Sequence, residues 1–184
     1  MNTVQRATRH TLSIWLLVLA FTALASAYSI VTPIFEASDE IWHYPVVQYL
    51  AAGRGLPVQT PPDRPGLWKQ EASQAPLYYM VAALLTSWVD TSDLSATLRP
   101  NPHAAIGTVS PDGNINMAAH DPAREAWPWR GAVLAVHLAR LLSVACSAAS
   151  SSAARSRISA STSTSKASMS SSSTVSRSRT SGSG

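Results

Sequence analysis

Uncharged apolar runs alternate with polar, turn-rich segments along this chain. The first run covers residues 11–35 and contains no charged side chain. A helix needs about 20 apolar residues to cross the roughly 30 Å hydrocarbon core of a bilayer, so this run predicts a transmembrane helix. Basic residues precede the run and acidic residues follow it: Arg6, Arg9, Glu36, Asp39 and Glu40. Because basic residues tend to stay on the cytoplasmic side, we expect residues 1–10 inside and residues 36–130 outside.

The same run also has a feature of cleaved signal peptides. Ala25-Ser26-Ala27 has the small-x-small form of a cleavage site. The apolar run continues beyond it to Phe35, and this length favours a retained anchor. Both interpretations stay open at this point. Cleavage after Ala27 would leave a non-catalytic secreted protein, and retention without catalysis would leave a single-span membrane protein.

Two shorter helices are predicted in the external loop. The first covers residues 38–53, where Ser38 is a suitable N-cap and Gly53 a suitable stop. Its aromatic content is typical of a helix at a membrane surface, and Pro45 is expected to kink it or delay its start. The second covers residues 76–89. Its dense apolar part is short for a membrane span, so we expect an interfacial or re-entrant helix.

A last apolar segment, residues 131–146, begins like a second transmembrane helix. It contains Arg140, and a charge within such a segment usually faces a cavity or a partner. Residues 147–184 then hold 18 serines in 38 positions, with no acidic and no aromatic residue. This composition predicts disorder. The apolar pattern stops in the middle of the predicted membrane span, which indicates a frameshift or a misplaced gene end. The alternative is an ordinary linker after a short helix.

These elements together predict an all-α membrane protein. Only 13% of the residues are charged, against about 25% in ordinary soluble domains. Residues 147–184 hold five basic and no acidic residues, whereas residues 1–146 hold nine basic and ten acidic ones. The overall basic charge therefore comes from the tail, and we expect no nucleic-acid partner. The single cysteine, Cys146, excludes an intramolecular disulfide and any multi-cysteine zinc site.

The leading candidate site is the pair Asp39-Glu40, where the first helix leaves the membrane. A carboxylate there could act as a general base on a hydroxyl group, or help to hold a divalent cation beside a phosphate. The simpler interpretation is that both acids cap the next helix. At helical spacing His43 shares a face with Asp39, and Tyr44 shares one with Glu40.

Other candidate chemistry is weaker. Four residues in the long polar loop could ligate a metal, but their spacing matches no strong signature: His103, Asp112, His120 and Asp121. Metal dependence is therefore unknown, a divalent cation is possible, and no cofactor is certain. No phosphate-binding glycine loop and no serine-hydrolase elbow occurs in the chain.

The order of the motifs resembles the N-terminal end of integral-membrane GT-C glycosyltransferases. It is most similar to the family 39 group, which includes protein O-mannosyltransferases and lipid A aminoarabinose transferases. The matching parts are Asp39-Glu40, Gly55-Leu56-Pro57, Ala75-Pro76-Leu77-Tyr78-Tyr79 and Arg140-Leu141-Leu142-Ser143. Two departures are that Ala75 replaces the first proline of the usual pair, and that Ser73-Gln74 replaces the Glu-Lys of some relatives.

This resemblance implies sugar transfer from a polyprenyl-phosphate carrier to an acceptor on the outer face of a bacterial plasma membrane. It implies the catalytic base at Asp39 and a supporting catalytic role for Glu40. His43, Tyr44 and Gln74 are the candidate substrate-binding residues beside them. Membrane lipid and the lipid-linked sugar are the implied partners. Family members have many more membrane helices, so we expect the present chain to be an N-terminal piece that is inactive alone.

Overall fold

A computed structural model describes residues 3–59, 61, 66–104, 116–151 and 153 of the chain. This described part is helical, and it contains no strand beyond one isolated antiparallel bridge, between Pro100 and Ala118. These described residues form six α-helices: α1 (Thr3–Val31), α2 (Glu40–Ala51), α3 (Leu77–Thr86), α4 (Leu94–Thr97), α5 (Pro122–Glu125) and α6 (Gly131–Ser151). One turn of 3₁₀ helix lies at Glu71–Ser73.

Two compact units divide the chain. The larger unit, Ala23–Val144, contains the end of α1, helices α2 to α5 and most of α6. The smaller unit comprises Met1–Thr22 and Ala145–Gly184, of which the structure describes the first part of α1 and the last turns of α6. All side-chain contacts discussed below lie within Ala23–Val144.

Helices α1 and α6 are each long and apolar enough to cross a membrane. The qualifying segments are Leu12–Val31 and Gly131–Ser151. Only their length and apolar composition support a membrane span, and a signal sequence or a buried core helix has these two features as well. The first segment exposes most of its large apolar side chains, including Leu17, Leu24 and Val31.

The core of the larger unit forms where α2, α3 and α6 bury their apolar faces with the turn after α1. That turn contributes Ile34 and Phe35, which are almost fully buried. Helix α2 packs on α3, whose buried face is small: Ala82, Ala83 and Thr86 beside Tyr79. Small side chains on one helix allow a close approach of its neighbour.

The beginning of α6 is fixed by a carboxylate from another part of the chain. Asp93 accepts a hydrogen bond from the Ala132 amide at 2.8 Å. A carboxylate at a helix N-terminus satisfies a free N–H and interacts favourably with the helix dipole. Gly131 has a φ of 55°, and a Cβ there would collide with the Asp93 carboxylate. Glycine is therefore favoured at this position, because it adopts this φ without strain and leaves room for the Asp93 carboxylate.

The helices differ from the predicted segments mainly at their ends. Helix α1 begins at Thr3 rather than residue 11 and ends at Val31 rather than 35, because Pro33 and the turn at Phe35 follow. Pro45 lies inside α2 and does not delay its start. Helix α6 continues to Ser151, past the predicted end at residue 146. The rest of the serine-rich tail, residue 153 aside, lies outside the described residues.

Candidate functional site at the start of helix α2

Asp39 occupies the N-cap position of α2 in a left-handed conformation. Its φ and ψ are 56° and 5°, and its side chain makes no capping hydrogen bond. The residue is exposed, and no hydrogen bond or ion pair of its carboxylate is found among the described residues. A non-glycine residue in this conformation carries strain of about 1–3 kcal/mol, and such strain is concentrated at functional sites. Asp39 therefore presents an unengaged carboxylate, and the simple capping interpretation does not apply to it.

Glu40, the next residue, is fully engaged. Its Oε1 accepts a hydrogen bond from Arg140 Nε at 2.6 Å, and its Oε2 accepts one from the second nitrogen of the Arg140 fork, also at 2.6 Å. Oε2 also accepts the Phe35 amide at 2.7 Å. This two-point geometry is the strongest form of an Arg–carboxylate pair. The two acids of the pair therefore have different environments, one free and one bound.

Arg140 joins this ion pair to the end of α1. Its guanidinium donates to the carbonyl oxygens of Ser29 at 3.0 Å, Thr32 at 2.6 Å and Pro33 at 2.9 Å. The last carbonyls of a helix have no partner within the helix, and a cation there complements the helix dipole. Arg140 therefore faces partners within the fold, namely Glu40 and the carbonyls at and just after the end of α1.

His43 lies one turn into α2 and contacts two residues outside it. Its Nδ1 is 2.7 Å from the Tyr79 hydroxyl oxygen and 3.3 Å from Glu71 Oε2. The shared helix face does not lead to a side-chain contact between His43 and Asp39 among the described residues. The two share only the backbone bond from the His43 amide to the Asp39 carbonyl, at 3.0 Å.

Glu71 is a buried acid with an incompletely satisfied side chain. Its side chain is 3% exposed, and its Oε2 has no hydrogen bond to the part of the chain that the structure describes, although His43 is close enough for an ion pair. The buried indole nitrogen of Trp68 also lacks a partner among those residues. Burial, together with the Glu71 and Tyr78 side chains, raises the pKa of Tyr79 to about 12. Tyr79 therefore keeps its hydroxyl proton at physiological pH.

The remaining predicted substrate-binding residues differ in accessibility. Tyr44 is only 3% exposed and packs against Phe35 in the core, with ring centroids 6.0 Å apart. Burial raises the pKa of Tyr44. Gln74 is exposed, directly after the 3₁₀ turn, and its amide donates to the Glu71 carbonyl at 3.2 Å. The structure thus brings His43 towards Glu71 and Tyr79, leaves Gln74 on the surface, and places Tyr44 in the core.

A second group of ionisable residues ties the long loop to the turn after α1. Glu36 accepts hydrogen bonds from the Met117 and Ala118 amides, both at 3.0 Å. His120 lies between two carboxylates, with Nε2 at 2.8 Å from Glu36 and Nδ1 at 2.9 Å from Glu125. Sequence spacing did not indicate this group, because Glu36 and His120 are 84 positions apart.

The pKa values of this group move in opposite directions. Burial alone would raise the pKa of Glu36, but the hydrogen bonds from Ala118, Met117 and His120 hold it below its ordinary value. Burial alone would lower the pKa of His120, but its bonds with Glu125 and Glu36 raise it. Both ring nitrogens of His120 face acceptors, which matches the doubly protonated imidazolium.

The described residues contain no group of three or more His, Cys, Asp or Glu side chains arranged to hold a metal ion. Of the four loop residues considered as ligands, His120 is occupied by its two carboxylates and Asp121 pairs with Arg124 at 3.3 Å. Asp112 lies outside the described residues.

Comparison of the chain with protein-family models, with curated proteins and with solved structures found no match. The resemblance to family 39 glycosyltransferases therefore depends on the motifs and their order alone.

Proposed function

We propose that this chain carries the acceptor-activating carboxylate of a membrane glycosyltransferase, with Asp39 as the general base. The reaction is transfer of a sugar from a polyprenyl-phosphate carrier to a hydroxyl group on the outer face of a bacterial plasma membrane. The observation that carries this proposal is the division of the Asp39-Glu40 pair. Asp39 is exposed and unengaged, whereas Glu40 is held by Arg140.

The proposed chemistry needs a base with a free lone pair near the membrane surface. As the acceptor oxygen bonds to the sugar's anomeric carbon, its proton passes to Asp39, and the carbon–phosphate oxygen bond breaks with its electrons on the phosphate. A well-placed general base contributes about 10²–10⁴-fold to such a step. Glu40 serves as a positioning residue in this scheme, since it anchors the start of α2 through Arg140.

A membrane setting is supported by α1 and by the outer face of α3. Large apolar side chains of α3 are exposed, namely Leu77, Met80, Val81, Leu84 and Leu85, and Trp88 just after the helix is exposed as well. The polar side chains at the end of this helix donate back to its own carbonyls: Thr86 to Ala82, Ser87 to Leu84, and Trp88 to Leu85. These donors do not need water, so we infer that α3 lies on the outer membrane surface with its apolar face in lipid.

Retention of α1 is supported by the contacts of Ser29, two residues after the potential cleavage site at Ala27. Ser29 is buried, and its carbonyl accepts bonds from Arg140 and from His137, both at 3.0 Å. Its hydroxyl donates to Ala25 at 2.8 Å, across that site. A tag placed before Thr3 should therefore stay on the mature protein in cells. Loss of the tag, with a mature N-terminus at Tyr28, would favour the non-catalytic secreted alternative.

The decisive experiment compares Asp39→Asn with Glu40→Gln in a transfer assay with a polyprenyl-phosphate sugar. It uses membranes containing the chain alone, where we expect no transfer, and membranes containing a joined form, in which the further membrane helices implied by the resemblance follow Ala145. In the joined form, Asp39→Asn should remove most turnover with normal membrane insertion. If Asp39→Asn keeps near-normal turnover while Glu40→Gln is inactive, Glu40 is the base and Asp39 is not. Activity in both variants would place the base elsewhere.

A further inference from the structure

The unexplained feature of the larger unit is the buried acid behind His43. Glu71 comes from the 3₁₀ turn and Tyr79 from α3, and both approach the same imidazole nitrogen, Nδ1. The other ring nitrogen, Nε2, has no hydrogen-bond partner among the described residues, and the His43 side chain is 36% exposed. One side of the ring is thus held from inside the fold while the ring itself reaches solvent.

The hydrogen bond between Tyr79 and His43 indicates which nitrogen of the imidazole carries the proton. The Tyr79 hydroxyl is buried, and His43 Nδ1 is the acceptor available to it within the described residues. A buried hydroxyl left without an acceptor is costly, so Tyr79 is expected to donate to Nδ1. A neutral imidazole has one N–H, and it is then on Nε2. His43 therefore presents an N–H donor to the surface.

Glu71 approaches the same side of the ring from inside the fold. Its Oε2 is buried, lies 3.3 Å from Nδ1 and has no hydrogen bond among the described residues. The two side chains nearest Nδ1 therefore both come from inside the fold, and their contacts leave Nε2 towards solvent.

We propose that His43 binds the phosphate group of the lipid carrier through Nε2–H, with Glu71 and Tyr79 as its positioning residues. This inference rests on the proposed function, because the carrier phosphate is the anionic part of that donor. His43 and Asp39 are one helical turn apart at the start of α2. As the bond between the sugar and the phosphate breaks, His43 donates a hydrogen bond to a phosphate oxygen and keeps its proton, while the acceptor's proton goes to Asp39.

The test follows the imidazole signals of His43 in ¹H–¹⁵N spectra of the whole chain in lipid nanodiscs. Farnesyl phosphate is the probe, farnesol is the uncharged control, and inorganic phosphate is the third arm. We expect a saturable shift of the Nε2 signal with farnesyl phosphate and none with farnesol. An unchanged His43 signal overturns the proposal. Inorganic phosphate binding as tightly as farnesyl phosphate overturns the assignment to a lipid carrier.

Variants separate positioning from general damage to the fold. His43→Gln should weaken farnesyl phosphate binding about 10- to 100-fold, as expected for loss of one charge-assisted hydrogen bond. Glu71→Gln and Tyr79→Phe should weaken it less, and Tyr79→Phe should also change the ¹⁵N shifts that report the His43 tautomer. His103→Gln, at an exposed loop histidine, is the matched control and should have no effect. Undiminished binding in His43→Gln overturns the proposal.

Asp39→Asn distinguishes this inference from the proposed function. The variant should bind farnesyl phosphate normally, since Asp39 has no part in holding the phosphate. If farnesyl phosphate shifts the His43 signal but transfer does not depend on Asp39, the phosphate site is supported and the assignment of Asp39 as the base is refuted. If transfer depends on Asp39 but the His43 signal does not respond, the base is supported and the phosphate site is refuted.

Discussion

Arg140 and Glu40 form a two-point ion pair across 100 positions of the chain, with both nitrogen–oxygen distances at 2.6 Å. The Arg140 and Glu40 side chains are 8% and 14% exposed. The pair connects the start of α2 to the middle of α6, and Arg140 extends it to carbonyls at and just after the end of α1. One guanidinium thus joins α6 to the chain around the end of α1 and the start of α2, and Asp39 lies directly beside this junction.

Arg140→Met should destabilise the larger unit strongly. Removing one partner leaves the Glu40 carboxylate and the Thr32 and Pro33 carbonyls, which follow α1, without the Arg140 donor. Breaking a buried ion pair in this way costs about 3–5 kcal/mol. Arg140→Lys should recover only part of the loss, because an ammonium group lacks the planar fork. Thermal unfolding in nanodiscs, followed by near-ultraviolet circular dichroism, measures the effect.

Arg124→Met is the control for that experiment. Arg124 also pairs with an acid, Asp121, but the two side chains are 49% and 39% exposed. Such surface pairs contribute about 0–1 kcal/mol, so little change is expected. The double variant of Arg140→Met with Glu40→Gln should lose less stability than the sum of the two single changes. Equal losses in the Arg124 and Arg140 variants would mean that the buried pair does not hold the helices together.

The attachment of the long loop should depend on pH. The pKa of His120 is raised, so its contribution to stability is complete below its ordinary value of 6.5 and is lost as pH rises through the folded-state pKa. The pKa of Glu36 is lowered, so its contribution is complete above 4.5 and is lost as pH falls through the folded-state pKa. Protection of the Met117 and Ala118 amides from hydrogen exchange should therefore be greatest between these values.

His120→Gln tests whether the imidazole causes the loss of protection on the alkaline side. Glutamine retains hydrogen-bonding capacity but does not titrate, so the variant's protection, after correction for the intrinsic exchange rate, should stay flat through the range where His120 loses its proton. His103→Gln leaves the cluster intact and should preserve the wild-type profile. An unchanged alkaline loss in His120→Gln would assign it to another group.

The sequence predicted the helical segments well where long apolar runs determine them, and their ends poorly. The residues near 11–35, 38–53 and 76–89 are helical over most of their length because apolar patterning and terminal turn residues act locally. The pairing of Glu36 with His120 was not predictable, since it depends on a loop returning to the end of α1. Likewise, Asp39 and Glu40 are adjacent acids in the sequence, and only tertiary contact with Arg140 distinguishes them.

Helix α3 should lie at the membrane surface without crossing it. If it does not cross, residues before and after it face the same side, so Arg54→Cys and Ser92→Cys should both react with an impermeant maleimide added outside. Both positions are exposed, and Cys146→Ser supplies the cysteine-free background. Reaction at Arg54→Cys with protection at Ser92→Cys would show that the chain crosses between them. If neither position reacts with the maleimide, both face the inside and the proposed orientation of α1 is wrong.

The apolar face of α3 should contact lipid rather than water. Leu84 is 77% exposed in the structure and Ser95 is also exposed, so spin labels fit at both positions. In nanodiscs, a label at Leu84 should be relaxed more by oxygen, which concentrates in lipid, and a label at Ser95 more by a water-soluble nickel complex. Equal access of the nickel complex to both labels would place α3 in water.

Asp39→Gly should stabilise the protein while removing its proposed activity. The left-handed conformation costs an ordinary residue roughly 1–2 kcal/mol, and Asp39 receives no capping bond in return. Glycine adopts this conformation freely but has a more flexible unfolded chain, so the net gain should be about 1 kcal/mol or less. Asp39→Ala keeps the strain and should give no gain. If Asp39→Gly lowers the unfolding temperature, the carboxylate is structural after all. If it raises the unfolding temperature but transfer in the joined form continues, the strain at Asp39 has no connection with catalysis.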